Sequence, residues 1–200
     1  MKRKTLSFLV VALFTVTAGM AAQVNAASQE VQKQNLPSVQ AQANASGSIP
    51  VALPTDAKIS MKKGTPQSGR VVEIDEKTQK ISIQRGWDKV SIPLGQIDKI
   101  VFSKTAVVYY SNGGPVIRGE LRPANRTEIW RGIPMNAFRL LNPLEKGQAE
   151  LNLGSVVSTD TLSEIRAIMA GNGKNTRQYV VDEMQFNVQK KTMTIVATPY

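Results

Sequence analysis

Lys58–Phe102, KISMKKGTPQSGRVVEIDEKTQKISIQRGWDKVSIPLGQIDKIVF, decides the fold class of this chain. Lys58–Lys63 leads into a turn region at Gly64–Gly69, and Arg70–Asp75 and Lys80–Arg85 follow as short alternating runs. A turn at Gly86–Lys89, then Val90–Leu94 and Gln96–Phe102, complete the stretch. Alternation with period two, rich in β-branched residues and cut by glycine-bearing turns, predicts a meander of antiparallel strands. Five strands this short bury no face as a flat sheet, so residues 58–104 are expected to curl into a small barrel.

Downstream, residues 105–200 read as a β-hairpin region with one short helix. Ala106–Tyr110 and Pro115–Leu121 flank Ser111-Asn112-Gly113-Gly114, and Asn-Gly is the strongest short hairpin signal because both central residues tolerate positive φ. Phe138–Leu141 and Gln148–Leu153 are expected to pair across a turn at Asn142-Pro143. Thr161-x-x-Glu164 reads as a capping box, Leu162, Ile165, Ile168 and Met169 as an apolar stripe, and Gly171 as the stop. Arg177–Val188 and Thr192–Ala197 predict a last hairpin whose Tyr179, Met184, Phe186 and Met193 alternate as core positions. The class is therefore mainly β (α+β). The strands are too short and the aromatics, at 6%, too few for an outer-membrane barrel.

Upstream, Lys2, Arg3 and Lys4 precede an apolar run from Leu6 to Ala18, and Val24-Asn25-Ala26 fits the small-x-Ala cleavage pattern. Residues 1–26 thus read as a secretory signal peptide, which places the mature chain in the periplasm or another extracytoplasmic compartment with no transmembrane segment after cleavage. Residues 27–57, rich in Gln, Asn, Ser and Ala, hold too little apolar mass to offset chain entropy. They are expected to be a disordered tether, from which Ile49, Val51 and Leu53 can dock on the folded body. Cysteine is absent, so packing alone must hold the body together. The chain carries 25 Lys and Arg against 15 Asp and Glu. Only three of these charges fall in the signal, which leaves a moderate basic excess without a dedicated patch.

Met61-x-x-Gly64-x-x-x-x-Gly69-x-Val71-x-x-Ile74-Asp75 resembles the first motif of the Sm-like small barrels, which share their hairpin chemistry with SH3-like barrels. Val90–Phe102 then falls where that fold places its last two strands. The resemblance implies a small Sm/SH3-like barrel. It does not carry the family's RNA ligand. The Arg-Gly pair of the second motif is missing from its place, Arg85-Gly86 lies too early, and Asp75 is followed by Glu76-Lys77-Thr78-Gln79 without the RNA-contacting Asn. Nucleic acid is not an expected partner.

Histidine is absent along with cysteine, which removes the commonest general base, the thiolate nucleophile and most transition-metal ligands. No catalytic residue, cofactor or metal is expected. Asp75-Glu76 and Asp182-Glu183 are adjacent acids, but neighbours on a strand point to opposite faces. Ser60-x-x-Lys63 matches a serine–lysine dyad in spacing only, because Ser60 falls in a strand and not at a helix start. A carboxylate or Ser-Lys hydrolase is accordingly the third functional reading. The first is a non-enzymatic binding or assembly module that contacts another envelope protein. The second is a binder of an envelope polyanion or glycan through an Arg/Trp surface, with Arg85, Trp87, Arg126, Trp130 and Arg131 as its candidate residues. Against that surface stands the alternative that both Trp rings fill the core while the arginines are merely solvated.

Overall fold

The computed structural model describes residues 47–110, 114–141, 146–171 and 177–200. The expected signal, most of the expected tether, and the Asn112-Gly113 and Asn142-Pro143 turns lie outside these residues. The described chain is mainly β, with one α-helix. Its strands form an eleven-stranded curled sheet and a separate two-stranded hairpin. No helix among the described residues is long and apolar enough to cross a membrane.

The meander forms as its alternation dictates. β2 (Ala57–Met61), β3 (Gln67–Asp75), β4 (Lys80–Arg85), β5 (Asp88–Pro93) and β6 (Ile97–Phe102) run antiparallel, in the spatial order β6-β2-β3-β4-β5. A single 3-10 turn, Leu94–Gln96, joins the last two. Ile59, Val71, Ile81, Ile83, Ile92, Leu94, Ile97, Ile100 and Phe102 turn inward and are buried.

The first described strand corrects the end of the expected tether, where Ile49, Val51 and Leu53 belong to ordered chain. β1 (Ser48–Ala52) pairs antiparallel with β11 (Gln148–Asn152) and parallel with the start of β12 (Tyr179–Asn187). Ile49, Val51, Ala52 and Leu53 are buried. Averaged over thirty residues the segment looks too polar to order, yet its last few residues alternate as a strand and find two edges to pair with. Leu53 is locked further by donating its N–H to Gly147 O at 2.7 Å. Gly147 sits at φ +56°, and a Cβ there would meet Leu53 O at 2.5 Å, so only glycine fits this approach.

In the second half, β7 (Val107–Tyr109) and β8 (Pro115–Ile117) make the expected hairpin, and β10 (Phe138–Leu140) pairs with β11. β12 pairs with β13 (Thr192–Pro199). The strand β9 (Glu128–Pro134), which the sequence left unassigned within the Arg/Trp stretch, adds to β13. The helix α1 (Thr159–Ala170) starts earlier than Thr161. Ser158 is its N-cap, with Oγ accepting from Thr161 N at 3.2 Å, and Gly171 ends it as expected. Leu162 and Ile165 seat it on the core.

Two pieces of the fold recur. In each, a hairpin turn holds one of the two non-glycine residues with positive φ among the described residues, Gln79 (52°) and Lys191 (50°). Each of their carbonyls accepts the N–H of a 3-10 turn that follows an Ile-Pro pair. Leu94 N donates to Gln79 O at 2.8 Å, and Met135 N to Lys191 O at 3.1 Å. The ladders match too. Ile81 lies opposite Ile92 and Lys80 opposite Pro93, just as Met193 lies opposite Ile133 and Thr192 opposite Pro134. The order along the chain differs: the Ile-Pro strand follows its hairpin in the first case and precedes it in the second. The two halves are joined where β12 pairs with β6, Met184 facing Ile100. One hydrophobic core draws on both, from Ile59, Ile83 and Ile100 to Trp130, Leu151 and Ile195.

Candidate functional site

The two tryptophans have opposite fates. Trp87 occupies the two-residue turn between β4 and β5, where Arg85 lies opposite Asp88. Gly86 precedes it at φ +57°, the value a primed hairpin turn requires of its first central residue. The Trp87 side chain is fully exposed. The residues behind it are pinned: Arg85 Nε donates to Ser68 O at 3.0 Å and Gln84 Nε2 to Gly86 O at 2.8 Å. Beside the turn lies an open groove of about 730 Å³ between the start of β3, the end of β4 and the segment leading into β2. Thr55, Asp56, Ser68, Arg70, Gln84 and Arg85 line it together with two glycines.

Trp130 is instead core. It is 3% exposed on β9, and its ring meets Tyr179 edge-to-face at 5.2 Å between centroids. This corrects its assignment to an Arg/Trp surface; strand alternation turns Trp130 inward and leaves Arg131 outward and exposed. Arg126 stands near Trp130 in a charged group of its own, paired with Glu128 and 3.6 Å from Glu164 of α1. The five candidate residues therefore do not make one surface. Arg85 and Trp87 share a hairpin tip, Arg126 belongs to an ion-pair network, and Trp130 is buried.

Burial pushes the Tyr179 hydroxyl up to about 12, with the Glu128 carboxylate adding to the rise and Arg126 opposing it. Neither Tyr179 OH nor Trp130 Nε1 has a hydrogen-bond partner among the described residues. A phenol whose folded value lies above its unfolded value of roughly 10 contributes stability that is complete below pH 10 and is lost as pH rises towards 12. Tyr179→Phe should therefore lose less stability over that interval than the parent, as urea midpoints at pH 9, 10, 11 and 12 would read.

A second polar cluster was not legible in the sequence. Arg118 is 2% exposed. Its Nη2 donates to Asp182, its Nε to Tyr200 OH at 3.2 Å and its Nη1 to Phe102 O at 3.4 Å, and the guanidinium sits 5.5 Å from the Tyr200 ring centroid. Asp182 also accepts from Thr198 Oγ1 at 2.7 Å. It falls at a bulge between Val181 and Glu183, where the ladder to β13 shifts. No sequence signal links residues 118 and 182, because their meeting depends on β12 reaching back across the sheet. The other adjacent acids serve locally: Asp75 accepts from Lys77 N and Thr78 N and closes its own turn, and the Thr78 hydrogen bonds hold its carboxyl below the usual range. The Ser60–Lys63 spacing places Ser60 in a β2 ladder opposite Lys99, with Lys63 exposed beyond the strand.

The chain matches no family model, and no curated protein or solved structure is significantly similar to it.

Proposed function

We propose that this chain is an exported, non-enzymatic binding or assembly module that contacts another envelope protein through the β4–β5 tip. The observation that carries this reading is the full exposure of Trp87 on a tight turn whose neighbours are hydrogen-bonded in place. An indole standing in water gains when a partner covers it, and tryptophan is among the residues that most often carry interface energy. Because the turn is short and pinned, little conformational freedom is lost when it is covered. The strand order β6-β2-β3-β4-β5, with its 3-10 turn before β6, supports reading residues 58–104 as a Sm/SH3-like small barrel that presents this tip. Export to the periplasm rests on the N-terminal charge, apolar run and cleavage pattern.

Cross-linked pulldowns from bacterial envelope extracts test the reading. Wild-type protein should recover one defined partner, and Trp87→Ala should lose it by at least tenfold, the order expected for an interface hot spot. Equal recovery by both proteins would overturn the role of the tip.

A further inference from the structure

We propose that the groove beside the β4–β5 tip is a subsite for a neutral saccharide, with Trp87 as the platform for a sugar ring. This rests on the tip being a contact element and not on the partner being a protein. The groove has no aliphatic or aromatic lining; its residues are polar or glycine. An apolar peptide side chain or a lipid chain would cover these charged and amide groups without pairing them. Hydroxyl groups would pair with them. Arg85 is held through Nε by Ser68 O, which fixes the plane in which its terminal nitrogens donate. Asp56 and the Gln84 amide, itself fixed on Gly86 O, supply acceptors in the same groove. A fixed donor fork and a carboxylate in one groove suit hydroxyls, each of which both donates and accepts.

The apolar contribution comes from Trp87, which directly follows Gly86 at the groove's end. The C–H face of a pyranose can cover an indole without any apolar floor beneath it. Charge argues for a neutral ligand. Arg70, Arg85 and Asp56 all line the groove, and Asp88 closes the turn opposite Arg85, so both signs of charge are present and the site lacks the one-sided field that draws a polyanion.

The test uses purified protein and chitotetraose, a neutral β-linked oligosaccharide, followed by calorimetry and by the tryptophan emission. The indole of Trp87 is exposed and that of Trp130 is buried, so a change in emission on binding reports the tip. Saturable binding is expected, unchanged between low and high salt. Trp87→Ala should abolish it, and Arg85→Ala and Asp56→Asn should each weaken it at least tenfold with the thermal midpoint unchanged. No saturation up to about 10 mM, the weakest range a single subsite occupies, would overturn the proposal. So would wild-type affinity in both groove variants, or binding of dextran sulfate alone with an affinity that collapses in salt. If an envelope protein is captured through Trp87 while chitotetraose does not bind, the saccharide subsite falls and the protein-binding role stands. If chitotetraose binds and no protein is captured, the reverse holds.

Discussion

Arg118→Ala should destabilise the protein by about 3–5 kcal/mol, because it removes one partner of a buried ion pair and leaves the other uncompensated. Arg118 is almost wholly enclosed, and the contacts it makes reach Phe102 in β6, Asp182 in β12 and Tyr200 beyond β13. Its loss also strips the Tyr200 ring of the guanidinium beside it. Asp182 keeps 23% side-chain exposure and its bond from Thr198, which pulls the expected value towards the lower end. For a chain of this size the effect corresponds to a fall in Tm of roughly 6–20 °C. The double variant Arg118→Met/Asp182→Leu should recover most of the loss, since well-packed apolar residues of similar volume often replace such a pair without penalty. Urea unfolding of both singles and the double gives the coupling directly. A single-variant loss below about 1 kcal/mol would show that the pair is ornamental to the fold.

The two tryptophans offer the second large effect as a contrast. Trp130→Ala should cost about 3–5 kcal/mol, the usual range for emptying a core of a large aromatic. It removes a ring that packs edge-on against Tyr179 between β9 and β12. Trp87→Ala should change stability by no more than about 0.5 kcal/mol, as substitutions at exposed positions do. Matched urea titrations settle the point, and equal losses at the two positions would contradict the burial described above.

The meander was legible because each of its strands carries its own signal. KISIQR over Lys80–Arg85 shows β-branched alternation and ends at Arg85-Gly86, and the structure ends β4 at the same residue. The helix stop at Gly171 was legible for the same local reason, whereas its start was misplaced because Ser158 and Thr161 are both plausible caps and only the fold chooses between them. β1 and β9 were missed for a shared physical reason. Each is a strand by virtue of the edge it meets, β1 between β11 and β12 and β9 along β13; the alternation of β1 is only a few residues long at the end of a polar segment, and that of β9 is broken at Arg131-Gly132. Of the site, the composition of the Arg85-Gly86-Trp87 turn was readable, and the groove beside it was not. Asp56, Ser68 and Gln84 are ordinary polar residues until β2, β3 and β4 bring them together. The Arg118–Asp182 pair, 64 residues apart, lies beyond any local pattern.

The exchanged order of the two recurring pieces also bears on how the chain reaches this fold. Apart from the pairing of β6 with β12, every strand partner in β2–β6 is drawn from within residues 57–102, so that part can begin to assemble as soon as those residues are available. The other part waits. β9 finds no neighbour until β13 exists, and β1 stays unmatched until β11 and β12 arrive about a hundred residues later. Long closures of this kind are entropically dear and slow. During synthesis the apolar stripe Ile49-Val51-Leu53 is therefore uncovered for most of the time the chain is incomplete, and until β11 and β12 cover it the stripe is open to aggregation or to a holding chaperone.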